Sequence, residues 1–346
     1  VSHINEEIAR QPESWRAAAA SHHAGRGTPY VVGVDVGGTG IKSALFAGGP
    51  GPGPGAELER RTATPRTEDP RAVVDAILEV LLEAGAAGQQ RFGRRPSAVG
   101  LAVLGVVDEG SGVAVRSVAT GWRDVPLRAL AERVLDVPVV LGHDVRSAAL
   151  AEACRGAGRA LSSMLMVSIG TGIGAAFVAG GSALSGANGR AAEIGHLPVP
   201  GGSEACGCGG SGCLETLASA RRISERYERR SGRAATAAEV AARVSMGDAD
   251  ARAVWHEAVE ALAGALSAAV LLLDPAGIVV GGGLSLAGDV LLGPLREALG
   301  RRATLGTPPA VIPALLGDRS ALIGAGILAA RAAGLEAGAE GGDGTW

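Results

Sequence analysis

Apolar positions along this chain fall into short continuous runs and longer stripes at helical spacing. Residues 31–36 and 41–46 are two β-branched-rich runs on either side of Gly37-Gly38-Thr39-Gly40. Short runs around a glycine-rich turn predict a β-hairpin. Residues 58–64 read as a third strand. Val73, Val74, Ile77, Leu78 and Leu81 then recur on one helical face, behind Asp69 or Thr67 as cap and Pro70 in the first turn. Residues 98–103 form a buried strand, 104–112 a glycine-containing loop, 126–135 an amphipathic helix and 137–141 a strand. Gly142-His143-Asp144 follows that strand directly, and 145–155 is helical. Strands alternating with helices predict an α/β domain.

The second half repeats this logic. Residues 164–169 and 175–178 are strands around Gly170-Thr171-Gly172-Ile173-Gly174, an echo of the first hairpin. Residues 221–230 and 234–244 are helical. Residues 249–273 form a long helix with Val254, Val259, Leu262, Leu266, Val270 and Leu273 as core-facing positions, ended by Asp274-Pro275. A short strand, 278–280, runs into Gly281-Gly282-Gly283, with a helix from about Asp289. Residues 311–316 are a last strand and 321–333 an apolar, small-residue helix. Ahead of the first strand, residues 5–20 have helical spacing and a linker follows; 48–55 are a Gly/Pro turn cluster, and 336–346 read as a frayed tail.

Composition narrows the class. The chain has 346 residues, 47% hydrophobic and 19% charged, which suits two globular domains. A net charge of −3 offers nucleic acid or an anionic membrane no electrostatic footing. The longest apolar stretch, 258–273, is interrupted by Glu260 and is short for a bilayer, so it reads as a buried helix and no membrane partner is expected. No apolar signal region stands near Glu6, Glu7 and Arg10. Of four cysteines, three crowd together, which points to a metal site in a reducing compartment; cytoplasm is the expectation.

The candidate chemistry begins at the first turn. Gly37, Gly38 and Thr39 let backbone N–H groups approach an anion. Asp35 ends the preceding run, and Lys42 is the sole lysine of a chain that otherwise uses arginine. A compact ammonium suits a phosphate as a point charge. A P-loop would need Gly where Ile41 stands, and a dinucleotide fingerprint would open a helix where 43–46 reads as a returning strand. Gly170, Thr171 and Gly172 offer a second such turn. Gly281, Gly282 and Gly283 make either a flat surface for a planar base and ribose or a tight strand-to-helix turn. Asp144 stands at a strand-to-helix junction, where a functional carboxylate and an ordinary helix cap fit equally well. His196, Cys206, Cys208 and Cys213 supply one imidazole and three thiolates, a closed zinc set of structural type. Cys154, on an alanine-rich stretch, reads as a small buried hydrophobe.

D-x-G-G-T-x-x-K resembles the first phosphate motif of the sugar kinase, actin and Hsp70 superfamily. With the G-H-D junction, S-I-G-T-G-I-G, E-I-G-H, C-x-C-x-x-x-x-C-L-E and V-V-G-G-G in one order over 31–333, the chain resembles the ROK family of repressors, open reading frames and sugar kinases. That resemblance implies a two-domain actin-like (ribonuclease H-like) ATPase fold with an interdomain cleft. It divides the chain into an extension (1–29), a small α/β domain (30–142, joined by a C-terminal helix, 319–335), a larger domain with the zinc loop (143–318) and the tail. It implies an ATP-dependent kinase of a hexose such as glucose or an N-acetylhexosamine, phosphorylating the 6-hydroxyl. Asp144 would be the general base. His143, Glu193, His196 and Glu215 would contact the sugar, with His196 shared between zinc and substrate. Asp35 would help hold Mg²⁺, the two glycine turns the phosphates of ATP, and Gly281 to Gly283 would border adenosine. A homodimer is implied as well.

Three positions depart from the family pattern: His143 for Asn, Ala119-Thr120 for Asn-Leu, and Ala192 for Gly. They bear on which sugar is bound and leave open a kinase of sugar-like cyclitols. A non-catalytic sugar sensor is the alternative from another class. A ROK regulator would need a DNA-binding domain, which residues 1–29 do not supply.

Overall fold

The two apolar runs around the first glycine turn form the hairpin their spacing predicts. In this computed structural model, β1 (Tyr30–Val36) pairs antiparallel with β2 (Gly40–Ala47). The structure describes residues 27–48, 56–67 and 69–335. The expected helix over 5–20, most of the 48–55 turn cluster and the tail 336–346 lie outside the described residues. Described residues up to Ala148, with those from Arg319 onward, make one compact unit, and Ala149–Asp318 makes another.

In the first unit, β3 (Glu57–Ala63), β4 (Val99–Val103) and β8 (Val139–His143) complete a five-stranded sheet of order β3-β2-β1-β4-β8. Every residue of β1 is buried because the sheet is covered on both faces, so the strand reads as a continuous apolar run. Val32, Val34 and Val36 share a core with α1 (Pro70–Phe92) and α2 (Leu127–Leu135). Val31 packs with α9 (Ser320–Ala332) instead, as strand alternation requires. The N-cap of α1 is Asp69, whose side chain accepts from the Arg71 N–H.

Glycines let α9 lie close on the sheet. A Cβ on Gly100 would stand 1.9 Å from the Ala325 carbonyl oxygen, and one on Gly33 2.8 Å from that of Leu322. Gly100→Ala is therefore expected to destabilise the first unit by about 3 kcal/mol, since backbone must move to admit the methyl. A urea midpoint equal to that of the native protein would reject this close contact.

Three short strands, β5 (Val106–Asp108), β6 (Val113–Arg116) and β7 (Arg123–Val125), form a separate sheet in order. The sequence reads 104–112 as a loop; a three-residue strand is too short to show a period, and its pairing is set by the hairpin partner. The strand predicted over 137–141 runs on through His143, and α3 (Asp144–Arg155) begins at the next residue.

The second unit repeats the strand order. β9 (Ser163–Ile169), β10 (Ile173–Ala179), β11 (Ser182–Ala183), β12 (Gly277–Gly281) and β13 (Ala310–Pro313) are arranged β11-β10-β9-β12-β13. In both sheets an antiparallel hairpin is extended on one side, and two parallel strands follow on the other. The last strand stops before the predicted 316. The Leu315 and Leu316 N–H groups donate instead to the fully buried Glu152 carboxylate, at 3.1 and 2.8 Å. Helices α4 (Leu214–Ala218), α5 (Ala220–Ser231), α6 (Ala237–Ser245), α7 (Ala249–Leu273) and α8 (Asp289–Arg302) complete the unit. By length and composition α7 is apolar enough to cross a membrane. Here Val254, Trp255, Val259, Leu262 and Leu266 enter the protein core, while Leu271 and Leu272 are exposed. The expectation of a buried helix thus holds through Ala269 and fails in the last turn.

Candidate functional site

Three parallel strands of the first unit end side by side. Val36 is the register partner of Val103, and Val103 of His143. The carboxyl ends of parallel strands are where open α/β sheets bind ligands, because chains that leave neighbouring strands in opposite directions open a crevice there. The Gly37 turn leaves β1 at this edge, and Asp144 leaves β8 two strands away. At about 4.8 Å per strand, the two backbones stand roughly 10 Å apart. The Gly37 N–H closes the turn on the Gly40 carbonyl at 2.9 Å, and the Thr64 hydroxyl donates to the Gly37 carbonyl at 2.7 Å. Gly38 and Thr39 stay exposed at the tip. Asp35 and Lys42 are opposite one another on the hairpin, with Nζ 3.3 Å from Oδ2. A Cβ on Gly38 would touch that of Ala119, so the loop bearing Ala119 and the buried Thr120 borders the turn.

Asp144 is the first residue of α3. Its Oδ1 accepts from the Val145 N–H at 2.8 Å and lies 3.3 Å from His143 Nε2. An ordinary cap accepts from an N–H two or three residues on. Burial pushes its carboxyl up to about 6, against the pull of the Val145 N–H and the Arg146 guanidinium. Two further residues converge on this point that the sequence reading did not single out. Glu109 Oε1 accepts from both the His143 N–H and Arg146 Nε, each at 2.9 Å. Glu109 lies 34 residues from His143 and 37 from Arg146, so no local pattern could join them.

In the second unit the Gly170 N–H closes on the Gly172 carbonyl at 2.9 Å, leaving Thr171 exposed. Ile173 gathers the neighbouring candidates. Its N–H donates to Glu215 Oε2 at 2.9 Å, and a Cβ on Gly195 would stand 2.1 Å from its carbonyl oxygen. Glu215 and the 193–196 segment therefore sit against the second glycine turn. Gly282 joins them: its φ is +78°, and a Cβ there would come within 2.4 Å of the Ile169 carbonyl oxygen. Gly281 pairs with Ser168 across β12 and β9. Glu193 precedes a short 3-10 turn, Ile194–His196, and is half-buried. Ala192 holds a φ of +62°, a left-handed conformation that costs an alanine what it does not cost glycine.

The His196 Nδ1 and the Sγ atoms of Cys206, Cys208 and Cys213 all lie within 4.8 Å of one another. His196 Nδ1 is 3.6 Å from Cys206 Sγ, and Cys208 Sγ is 3.7 Å from Cys213 Sγ. A zinc tetrahedron has edges of about 3.6 Å from nitrogen to sulfur and about 3.8 Å between sulfurs, so the donor set fits that ion. All three cysteines are free thiols. Without a cation, burial and then hydrogen bonding to Cys208 push Cys213 up to about 12, while the Gly210 N–H lowers Cys208. Arg222 braces the loop, with Nη1 3.4 Å from Glu204 Oε2 and Nη2 3.4 Å from the Ala205 carbonyl oxygen.

These features define a class: duplicated sheets of one strand order, each with a glycine turn after its first strand, and a zinc-type loop in the second. The ROK family's sequence model matches residues 31–332, and this chain belongs to the ROK family. A glucokinase of Halalkalibacterium halodurans is 34% identical over 284 residues, covering 78% of this chain and 84% of that protein. The crystal structure of a ROK hexokinase from Thermus thermophilus is 33% identical and matches with a TM-score of 0.76, over 88% of this chain and 98% of that one. A ROK family glucokinase from Streptomyces griseus, solved with glucose and AMPPNP, is 29% identical with a TM-score of 0.72, over 87% of this chain and 99% of that one. The fold is accordingly that of the actin-like ATPases.

Proposed function

We propose that this protein is an ATP-dependent hexose kinase in which Asp144 takes the proton from the acceptor hydroxyl as that oxygen attacks the γ-phosphorus of ATP. The observation that carries this reading is the Asp144 carboxylate itself. It stands at the carboxyl edge of the first sheet, two strands from a glycine turn, with Oδ1 engaged by the Val145 N–H and within reach of His143. Oδ2 is then the oxygen that receives the proton. A carboxyl held near 6 is deprotonated at neutral pH and more basic than an exposed one, as a general base requires.

Phosphoryl transfer needs in-line positioning and charge stabilisation more than covalent help. The Gly37, Gly38 and Thr39 backbone, Lys42, and the Gly170, Thr171 and Gly172 backbone are assigned to the phosphates, and Gly281, Gly282 and Gly283 to the adenosine border. Asp35 fits the single-carboxylate share of a Mg²⁺ site, whose ion neutralises phosphate charge when bound. Glu193, His196 and Glu215 are assigned to the sugar hydroxyls. Glu215 Oε2 is engaged by the Ile173 N–H, which leaves Oε1 for substrate. His196 would hold zinc through Nδ1 and meet a hydroxyl through Nε2, tying sugar geometry to the metal loop. A cytoplasmic homodimer is the assembly this reading carries with it. His143, Ala119-Thr120 and the strained Ala192 leave open one variant, in which the acceptor is a sugar-like cyclitol.

The test is coupled ADP release with Mg·ATP across glucose, mannose, allose, fructose, three N-acetylhexosamines and a C7-cyclitol. Turnover with one acceptor is expected, near the 1–100 per second typical of kinases. Silence across the panel from protein that holds zinc and binds ATP would replace the kinase by a sugar sensor.

A further inference from the structure

We propose that Glu109 is a positioning residue for the acceptor base: a single oxygen, Oε1, grips the chain on both sides of Asp144. The proposal rests on the reading of Asp144 as that base. Its two ends are the His143 N–H and Arg146 Nε, each 2.9 Å from Oε1, so the first turn of α3 is held from one point.

The grip has a rigid origin. Glu109 sits in the turn between β5 and β6, closed by the Ser111 N–H on Asp108 Oδ1 at 3.1 Å and by the Gly112 N–H on the Asp108 carbonyl at 2.9 Å. Arg128 of α2 donates to the backbone carbonyls of both Glu109 and Gly110, at 2.5 and 2.9 Å. Gly112 has a φ of +73°, and a Cβ there would stand 2.4 Å from Arg128 Cβ, so only glycine lets the turn close on that side chain. A loop fixed in this way aims Glu109 as a strand or helix would.

The other end needs that carboxylate. Arg146 is 3% exposed, and a buried guanidinium without a counter-charge is costly. Glu109 supplies one and, with the same atom, an acceptor for the N–H that ends β8. Remove it and the His143 N–H and Arg146 Nε both lose that acceptor, which loosens the turn that carries Asp144. A displacement of about 1 Å at reacting atoms can cost about 100-fold in rate.

The experiment compares E109A and E109Q in the full chain. E109A is expected to lose about 30-fold in kcat and to melt lower, because Arg146 loses a counter-charge, with KM for ATP within about twofold. E109Q keeps an oxygen at the same place and is expected to recover to within about threefold of native. Native kcat in E109A overturns the proposal. So does a loss of kcat matched by a raised KM for ATP, which marks a general structural role. An E109Q enzyme as slow as E109A overturns the shared-oxygen grip. If the native protein turns over no acceptor, the kinase reading fails by itself, and the grip is read from hydrogen exchange. Amides 143 to 146 should then exchange about tenfold faster in E109A, and unchanged exchange overturns it.

Discussion

Asp144→Asn is expected to lower turnover by about 10³-fold while sugar affinity stays within about threefold. The Asn oxygen can still accept from the Val145 N–H, so the turn is preserved and only the basic group is lost. The same change should raise stability at pH 7.5. Burial holds the folded carboxyl near 6, against an ordinary value of about 3.9 in the unfolded chain. The folded state thus binds the proton more tightly. This group's contribution to stability is full below about pH 4 and is lost as pH rises through 6. At pH 7.5 the charged carboxylate costs on the order of 1–3 kcal/mol, which Asn removes. Melting curves should place the variant above the native protein at pH 7.5, with the gap closing toward pH 4. In native enzyme, kcat/KM should fall about tenfold per pH unit below 6. Normal turnover in Asp144→Asn would end the base assignment, and a profile flat from pH 5 to 7 would end the raised carboxyl.

The second large effect concerns the metal loop. Chelation, or Cys208→Ser, is expected to lower Tm by about 10 °C or more and to weaken sugar binding about 10- to 100-fold. Between His196 and Cys213 the chain has little apolar burial of its own, Val199 and Cys206 apart, and two isolated β-bridges, Pro198 to Cys213 and Ala205 to Ser211. Gly201, Gly209 and Gly212 all sit at positive φ, and an unconstrained chain of that kind loses much entropy on ordering. A structural zinc site supplies on the order of 10 kcal/mol toward such ordering. His196 and Glu215 flank the loop, so its melting should reach the residues we assign to the sugar. Metal analysis should return about one zinc per chain. An unchanged melting temperature and sugar affinity after metal removal would mean that thiol packing alone holds the segment.

Much of this arrangement is legible in the residues alone. Both hairpins show in short apolar runs broken by glycine, because strand length and turn chemistry are local properties. The long helices show in their spacing, and α1 even in its Asp69 and Pro70 start. The cluster of His196, Cys206, Cys208 and Cys213 is visible because thiolates that close together in a chain have few other uses. The family resemblance follows from the same motifs in order, and the match over residues 31–332 agrees with it.

Other features depend on groups far apart in the chain, and no local pattern encodes them. Val106–Asp108 becomes a strand only because β6 accepts it as a partner. Residues 315 and 316 leave the strand because their N–H groups find Glu152, more than 160 residues earlier. Glu215 reads from the sequence as a sugar ligand, yet the fold commits one of its oxygens to the Ile173 N–H. Glu109 reaches His143 and Arg146, on either side of Asp144, from a turn of the separate three-stranded sheet. The sequence by itself determined the two hairpins and the long helices, where the glycine turns fall and which side chains can hold a metal. Tertiary structure decided which buried donors share which acceptors, because each must be satisfied by whatever the packing brings within about 3 Å.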